Sequence, residues 1–217
     1  MTENNVASDR IADTLRAAIL DGSYLPGTRI RQEDVAARSG ASRIPVREAF
    51  RLLASEGLVT LVANTGAWVT RLSLDECVET YLIRERLEPL LLRASLPNLD
   101  EAAIGHLGRL TEAMAATGTG VAEFLRLDRE FHLSSYAGAP PGETSQIIGR
   151  MWNTTQHYRR EFTKLAAHRD RLGVTHLEHR LLLDCIGRRD ADDAERVLVT
   201  HIRRTRLALE RHPEIFA

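Results

Sequence analysis

Apolar residues recur every three or four positions along the chain after residue 73, which is the spacing of amphipathic helices. Glycine and proline clusters divide this pattern into segments. The first segment opens with Ser73 and, three residues later, Glu76, which is the signature of a capping box. Strand signals are absent from this region, so the pattern predicts an all-helical bundle. Its six helices are predicted over residues 74–95, 100–116, 120–138, 143–166, 172–188 and 190–210.

The residues before 73 follow a different pattern, with a short helix predicted over residues 32–38, a turn at 39–41 and a second helix from residue 43. This spacing is typical of a helix-turn-helix. The second helix has two faces. The apolar face carries Val46, Ala49, Leu52 and Leu53. The basic face carries Arg43, Arg47 and Arg51. Three arginines on a helix can simply form a solvated surface, but after such a turn they also suit a DNA recognition helix.

Two short runs of β-prone residues follow, at 58–62 and 67–71, around a turn at 63–66. They predict a β-hairpin, which would form a wing beside the helix-turn-helix. The predicted fold class is therefore mainly α, with an N-terminal winged helix-turn-helix followed by an all-helical bundle. The predicted domain boundaries are residues 8–72 and 73–212.

Composition narrows the class of protein. The 217 residues include 29 Lys and Arg against 30 Asp and Glu, a net charge of -1. A sequence-specific DNA-binding protein needs only a local basic face, so this balance is compatible with one. Cys77 and Cys185 are isolated, with no CxxC spacing, which favours a reduced cytoplasmic setting. A signal-peptide pattern and an apolar run of membrane length are both absent, so we expect a soluble cytoplasmic protein.

Polar residues interrupt the apolar faces of three predicted helices: Asp128 and His132 in the third, His179 in the fifth and His201 in the sixth. A buried carboxylate must be paired, hydrogen-bonded or bound to a metal. Each histidine alone is more often an ordinary core residue, and Asp128 with His132 also fits a buried pair within one helix. Taken together, one aspartate and three histidines can supply an oxygen and nitrogen ligand set for a divalent ion.

A dense series of short motifs runs from Ile11 to Val69. The motifs are ILDG at 19–22, LPG at 25–27, SR at 42–43, PVREA at 45–49, LL at 52–53 and EGLV at 56–59. This series resembles the winged-helix domain of the GntR family of bacterial regulators. The chain departs from the family at Glu33, where many relatives have a DNA-contacting arginine, and at Ile44, where threonine is usual. The resemblance implies operator contacts from Ser42, Arg43, Arg47 and Gly66.

A second series of motifs lies in residues 74–210. It comprises Arg84 with Leu87-Glu88-Pro89, FLRLDREFH at 124–132, Glu178-His179-Arg180 with Leu183, Ala191 with Ala194, and His201-Ile202. This series resembles the FCD effector domain of the FadR subfamily, and six helices place it near the VanR-like branch. Ala139-Pro140-Pro141 departs from the Asn-Pro common in the family. The resemblance implies the metal ligands Asp128, His132, His179 and His201.

Arg84 matches a recurrent arginine of the FCD domain and is a candidate for binding the carboxylate of an effector, because a guanidinium binds carboxylates with two hydrogen bonds. The alternative is an ion pair within its own helix, with a glutamate such as Glu88. Both interpretations stay open at the level of sequence.

The resemblance implies a ligand-responsive transcriptional repressor that binds operator DNA as a homodimer and is not an enzyme. The expected effector is a small organic acid that coordinates a divalent transition metal, with zinc as the first candidate and nickel, manganese and iron as alternatives. One rival hypothesis keeps the DNA binding but makes the metal structural, or the signal itself. Another is a metal-dependent hydrolase, but the nearby Glu130 lies two residues from Asp128 and so faces elsewhere.

Overall fold

The computed structural model describes residues 3–62, 66–116, 119–168 and 172–216, without the side chains of residues 3–5 and 168. The chain forms two compact units. They comprise Met1–Leu72 with Gly149–His157, and Ser73–Ile148 with Tyr158–Ala217. Within the described ranges, every helix is too short or too polar to cross a membrane.

The first unit combines helices with a small antiparallel sheet. Its elements are α1 (Glu3–Leu20), β1 (Arg29–Ile30), α2 (Gln32–Ser39), α3 (Arg43–Ser55), β2 (Val59–Val62) and β3 (Gly66–Val69). The strand order is β1-β3-β2, and Val62 pairs with Gly66 across the wing. The predicted helix-turn-helix and wing are confirmed. The sequence did not predict α1 or β1. Of the predicted wing turn at residues 63–66, residues 63–65 lie outside the described part of the chain, and Gly66 begins β3.

The apolar face of α3 fills the core of this unit. Val46, Ala49 and Leu53 are fully buried, and they share one cluster with Ile11 and Leu15 of α1. The sequence pattern also placed Leu52 on this face, but it is 39% exposed. Burial of this apolar stripe is what holds α3 in place and leaves its other side to solvent.

The sharp turn between α2 and α3 depends on Gly40, which has a φ of +62°. Residues that carry a side chain rarely adopt this left-handed backbone conformation, so glycine suits the position where the helix ends. At the other end of α3, the Arg16 guanidinium donates to both carboxylate oxygens of Glu56, at 2.7 and 2.6 Å. This forked ion pair links α1 to the residue that follows α3.

The six predicted helices follow residue 73 and belong to the second unit, except for Gly149–His157 of the fourth. Their observed ends lie within three residues of the predicted ones. They are α4 (Leu74–Ser95), α5 (Glu101–Ala115), α6 (Val121–Ser135), α7 (Glu143–His168), α8 (Leu172–Gly187) and α9 (Ala191–Glu210). The capping box at the start of α4 is present, because Ser73 accepts from the N–H of Glu76 and Glu76 accepts from the N–H of Ser73. These bonds satisfy backbone groups that a helix start would otherwise leave without partners.

The helices of this unit pack on one another in a series, with α8 and α9 in its middle. Helix α4 packs on α9, α8 packs on α9 and α5, and α5 packs on α6. The fully buried apolar side chains include Leu92, Leu107, Phe131, Ile186 and Leu198. This arrangement turns the buried faces of α6, α8 and α9 toward one another, and those are the faces that carry the predicted metal ligands.

Candidate metal centre and nucleic-acid interface

The four predicted metal ligands come together inside the second unit. Asp128 and His132 lie one turn apart on α6, His179 lies on α8 and His201 on α9. One potential ligand atom from each residue can be chosen so that all four atoms lie within 4.8 Å of one another. Asp128 is 5% exposed, and His132 and His179 are each 1% exposed. The cluster is therefore a buried set of one oxygen and three nitrogen ligands.

The atoms at the centre of this cluster are closely spaced. His179 Nε2 lies 3.0 Å from Asp128 Oδ1 and 3.3 Å from His132 Nε2. His179 Nδ1 lies 2.8 Å from the backbone oxygen of Thr175. A carbonyl oxygen only accepts hydrogen bonds, so His179 Nδ1 carries a proton, and Nε2 is the nitrogen that faces the cluster. His179 thus aims its Nε2 at the carboxylate of Asp128.

An imidazole nitrogen 3.0 Å from a carboxylate oxygen needs a proton or a metal ion between the two atoms. A proton on His179 Nε2 would serve one neighbouring atom, whereas a metal ion can bind all the ligand atoms of the cluster at once. Ligand atoms bound to one ion at about 2.1 Å lie at most about 4.2 Å apart, so only small movements separate this arrangement from a bound shell. The residues therefore fit a divalent metal ion.

The charge states in the cluster also suit a metal ion. Burial opposes ionisation of Asp128, but Arg159 and the neighbouring histidines outweigh it and hold the pKa of this carboxyl well below its ordinary value. Burial is also the main reason that the pKa of His132 lies well below its ordinary value, and burial lowers the pKa of His201. An ionised carboxylate and neutral imidazoles are the forms that bind metals.

Arg159 of α7 is a member of the site that the sequence reasoning missed. Its guanidinium donates to Asp128 Oδ2, and the residue is 6% exposed. The signal was available, because Arg159 lies at helical spacing from Ile148, Trp152 and Thr163, which are all buried. A charged residue within a predicted buried stripe indicates a buried partner.

Arg84 forms the ion pair that the sequence left as an alternative. Its Nε donates to Glu88 Oε1 at 2.5 Å, and the two side chains are 3% and 0% exposed. The hydroxyl of Tyr136 donates to the second oxygen of Glu88 at 2.6 Å. The guanidinium also lies over the ring of Tyr81, 4.8 Å from its centre. An effector carboxylate at Arg84 would have to compete with Glu88.

His176, three residues before His179 on α8, lies outside the four-residue cluster. It is half-buried on α8, and its ring packs edge-on against Phe124 with centroids 5.7 Å apart. This contact gives His176 an ordinary packing role, and the residue provides a matched control for the four cluster residues.

The exposed face of α3 carries the predicted DNA-contacting residues. Arg43 and Arg47 are both exposed. Ser42 stands at the N-cap position with extended backbone, and its side chain makes no capping hydrogen bond. Gly66 begins β3 with a φ of +108°, and a side chain there would lie 3.0 Å from the backbone oxygen of Ile30. Glycine is thus required at the edge of the wing for a backbone reason, whatever it contacts.

The two departures from the family pattern lie on the same surface. The carboxylate of Glu33 is 3.6 Å from the guanidinium of Arg43, and both side chains are mostly exposed. Ile44 is 57% exposed, beside Arg43 at the start of α3. An acidic group and an apolar side chain therefore modify the basic surface that the recognition helix presents.

A winged helix-turn-helix with an exposed basic recognition helix, joined in one chain to a helical unit, is typical of a DNA-binding transcription regulator with a second, helical domain. The family models agree with this class. Residues 7–69 match the model for bacterial regulatory proteins of the gntR family, and residues 79–204 match the model for the FCD domain. The chain belongs to the GntR family of transcriptional regulators and carries an FCD domain, and it is not an enzyme.

Named relatives are similar over nearly the whole chain. A probable D-xylose utilization operon transcriptional repressor from Paenarthrobacter nicotinovorans is 30% identical over 93% of this chain and 88% of its own length. An uncharacterized HTH-type regulator from an unstable DNA locus of Streptomyces ambofaciens is 29% identical, over 94% and 86%. Escherichia coli McbR/YncC shares the fold, with a TM-score of 0.80, 19% identity and coverage of 98% and 99%.

Proposed function

We propose that this regulator is a metal-organised sensor of a small organic acid, and that it represses transcription until the acid binds. Residues 8–72 form the DNA-binding domain and residues 73–212 the effector domain. The observation that carries the proposal is the buried convergence of Asp128, His132, His179 and His201 within 4.8 Å. Two named repressors among the relatives, from Paenarthrobacter nicotinovorans and Escherichia coli, support repression as the response.

The four cluster residues would hold a divalent transition metal, with zinc first and nickel, manganese or iron as alternatives, because three imidazoles and a carboxylate suit these ions. When bound, the ion supplies a positive centre with positions left for a carboxylate ligand. Asp128 contributes its Oδ1 oxygen while Arg159 holds the Oδ2 oxygen. Because Arg159 keeps this carboxylate oriented, the oxygen ligand is in place before the ion arrives.

The DNA-binding part of the proposal assigns operator contacts to Ser42, Arg43, Arg47 and Gly66. An arginine can donate two hydrogen bonds to O6 and N7 of one guanine, so Arg43 and Arg47 are the candidates for base reading. A homodimer would place two winged helices on half-sites about one helical turn apart. Binding of the acid would change the spacing that the dimer prefers and so weaken its hold on the operator.

A second candidate function makes the metal structural. The nearly complete burial of Asp128, His132 and His179 favours it, because structural metal sites are closed to solvent. The two candidates differ in what the loss of a ligand does. A structural metal predicts that His132→Ala lowers the stability of the helical unit, whereas a sensor predicts intact operator binding with a lost response.

The test is fluorescence anisotropy of the zinc-loaded full chain on DNA from the region upstream of its own gene, titrated with hydroxy acids, sugar acids and aromatic acids. We expect one class of acid to release the DNA from the wild type and from His176→Ala, but not from His132→Ala. Tight DNA binding that no acid changes would contradict the sensor and favour a structural or sensed metal. Absence of specific DNA binding would contradict the operator assignment.

A further inference from the structure

A carboxylate beside the metal cluster has no role in the site described so far. Glu178 precedes His179 on α8, and its Oε2 lies 2.7 Å from Nδ1 of His201 on α9. The side chains of Glu178 and His201 are 16% and 12% exposed. Because an ionised carboxylate only accepts hydrogen bonds, His201 Nδ1 carries the proton. The other nitrogen of His201, Nε2, is then the atom with a lone pair available for a metal ion.

Glu178 is itself held by a guanidinium. Arg204, one turn along α9 from His201, donates from Nε to Glu178 Oε1 at 2.6 Å and from Nη2 to Oε2 at 2.5 Å. A forked pair of this kind fixes the plane of the carboxylate as well as its position. Burial opposes ionisation of Glu178, but the hydrogen bonds from His201 and Arg204 hold its pKa at about 2.

The guanidinium of Arg204 is also linked to His179, through Thr175. Arg204 Nη2 also donates to the hydroxyl of Thr175 at 2.9 Å, and the backbone oxygen of Thr175 accepts from His179 Nδ1 at 2.8 Å. One turn of α8, from Thr175 to Glu178, therefore supplies the acceptors for the Nδ1 protons of both His179 and His201. In the neutral form of either ring, Nε2 is then the nitrogen with the lone pair.

We propose that Glu178, held in place by Arg204, is a positioning residue for the metal centre: it fixes the ring orientation and tautomer of His201 before the metal binds. This inference rests on the proposed metal site and adds two residues to it. Partners of this kind orient metal-binding histidines, and their loss weakens metal affinity by about 10- to 100-fold. The competing interpretation is a plain ion pair that joins α8 to α9 and contributes only to stability.

Glu178→Gln tests the proposal, because it keeps the size of the side chain and removes the charged acceptor. The matched control is Glu85→Gln, which breaks another interhelical ion pair, between Glu85 and Arg206, with side chains 4% and 11% exposed. Zinc affinity is measured by competition with a chromogenic chelator. We expect Glu178→Gln to bind zinc about 10- to 100-fold more weakly than the wild type. We expect Glu85→Gln to stay within about 3-fold, because it touches no ligand.

The second readout needs no metal. Nitrogen NMR of the metal-free full chain reports which nitrogen of His201 carries its proton. We expect Nδ1 in the wild type and in Glu85→Gln, and a mixture of the two tautomers in Glu178→Gln. Should Glu178→Gln fail to fold, Arg204→Gln leaves the carboxylate in place but free to turn. For that variant we expect a smaller loss of zinc affinity in the same direction.

Unchanged zinc affinity and an unchanged His201 tautomer in a folded Glu178→Gln protein would overturn the positioning role. Equal losses of affinity in Glu178→Gln and Glu85→Gln would overturn it too, because both variants would then act through stability. Failure of the metal site itself looks different. In that case the wild type and His132→Ala would bind zinc equally weakly, while the tautomer measurement would still report on Glu178.

Discussion

The DNA-binding surface and the metal cluster hold their charged groups in opposite ways. On α3, the side chain of Arg43 is 72% exposed and lies 3.6 Å from a carboxylate that is also exposed. In the candidate metal cluster, the side chains of Arg159 and Asp128 are 8% and 7% exposed, and the guanidinium donates to the carboxylate. Exposed charges contribute little to stability and are ready to meet phosphates and bases. Buried charges are stable only with their partners, so a change at one of them affects the whole site.

The largest expected effect comes from breaking a buried pair. With a chelator present to remove metal ions, Arg159→Met should lower the free energy of unfolding by about 3–5 kcal/mol. The reason is that the Asp128 carboxylate stays buried without the Arg159 guanidinium that pairs with it. Urea denaturation measures this loss. The exposed Arg126→Met, which breaks pairs with Glu123 and Glu130, should cost less than about 1 kcal/mol. Equal losses of unfolding free energy in the two variants would contradict the expected difference in stability between buried and exposed ion pairs.

Metal binding should have the next largest effect. Zinc at 100 times its dissociation constant should raise the free energy of unfolding by about 2.7 kcal/mol, because it binds the folded form only. Thermal unfolding with and without zinc measures the rise. His201→Ala should abolish it, and His106→Ala, which removes a half-buried histidine outside the cluster, should keep it. A rise that survives in His201→Ala would mean that zinc binds elsewhere.

On the exposed surface, the effect should appear in affinity rather than in stability. Arg47→Ala should weaken operator binding by about 1–3 kcal/mol, because the variant lacks the guanidinium that we propose to read a base. Its thermal unfolding should match that of the wild type. Arg51→Ala provides the control, because Arg51 is exposed on the same helix but pairs with Glu48 at 2.7 Å. An equal loss in both variants would indicate general attraction to phosphate instead of base reading.

The smallest expected effect concerns the acidic departure on this surface. Glu33→Gln should strengthen operator binding by less than about 1 kcal/mol, because it removes an exposed negative charge 3.6 Å from Arg43. The gain should shrink as salt is added, since salt screens exposed charges. Anisotropy titrations at low and high salt measure the gain in affinity and its dependence on salt. Weaker binding would instead show that the Glu33 carboxylate accepts a hydrogen bond from a base such as cytosine.

Local signals in the sequence were enough for most of the architecture. The spacing of apolar residues predicted the helices of the bundle, and Ser73 with Glu76 marked the start of α4, because both signals act within a few residues along the chain. The helix α1 was missed even though Ile11, Ala12 and Leu15 are buried at helical spacing. Apolar and polar residues are separated less sharply on α1 than on α3, so the helical pattern of α1 is the weaker signal.

The candidate site was predictable only in part. The interrupted apolar faces indicated Asp128 and the three histidines, and the structure brings their ligand atoms within 4.8 Å. The partners of these residues were not predictable in the same way. Arg159 lies 31 positions from Asp128, and Arg204 lies 26 positions from Glu178. Pairs so far apart in the chain leave no local spacing to recognise.

The sequence by itself determined where helices begin and end, which faces are apolar and which residue types can carry chemistry, because propensity, capping and periodicity are properties of neighbouring residues. Only the tertiary structure decided which polar side chains meet. It joined Arg159 to Asp128 and Glu178 to His201. The physical reason is that a buried polar group must find a partner among whatever helices pack against it, and the packing of whole helices chooses that partner.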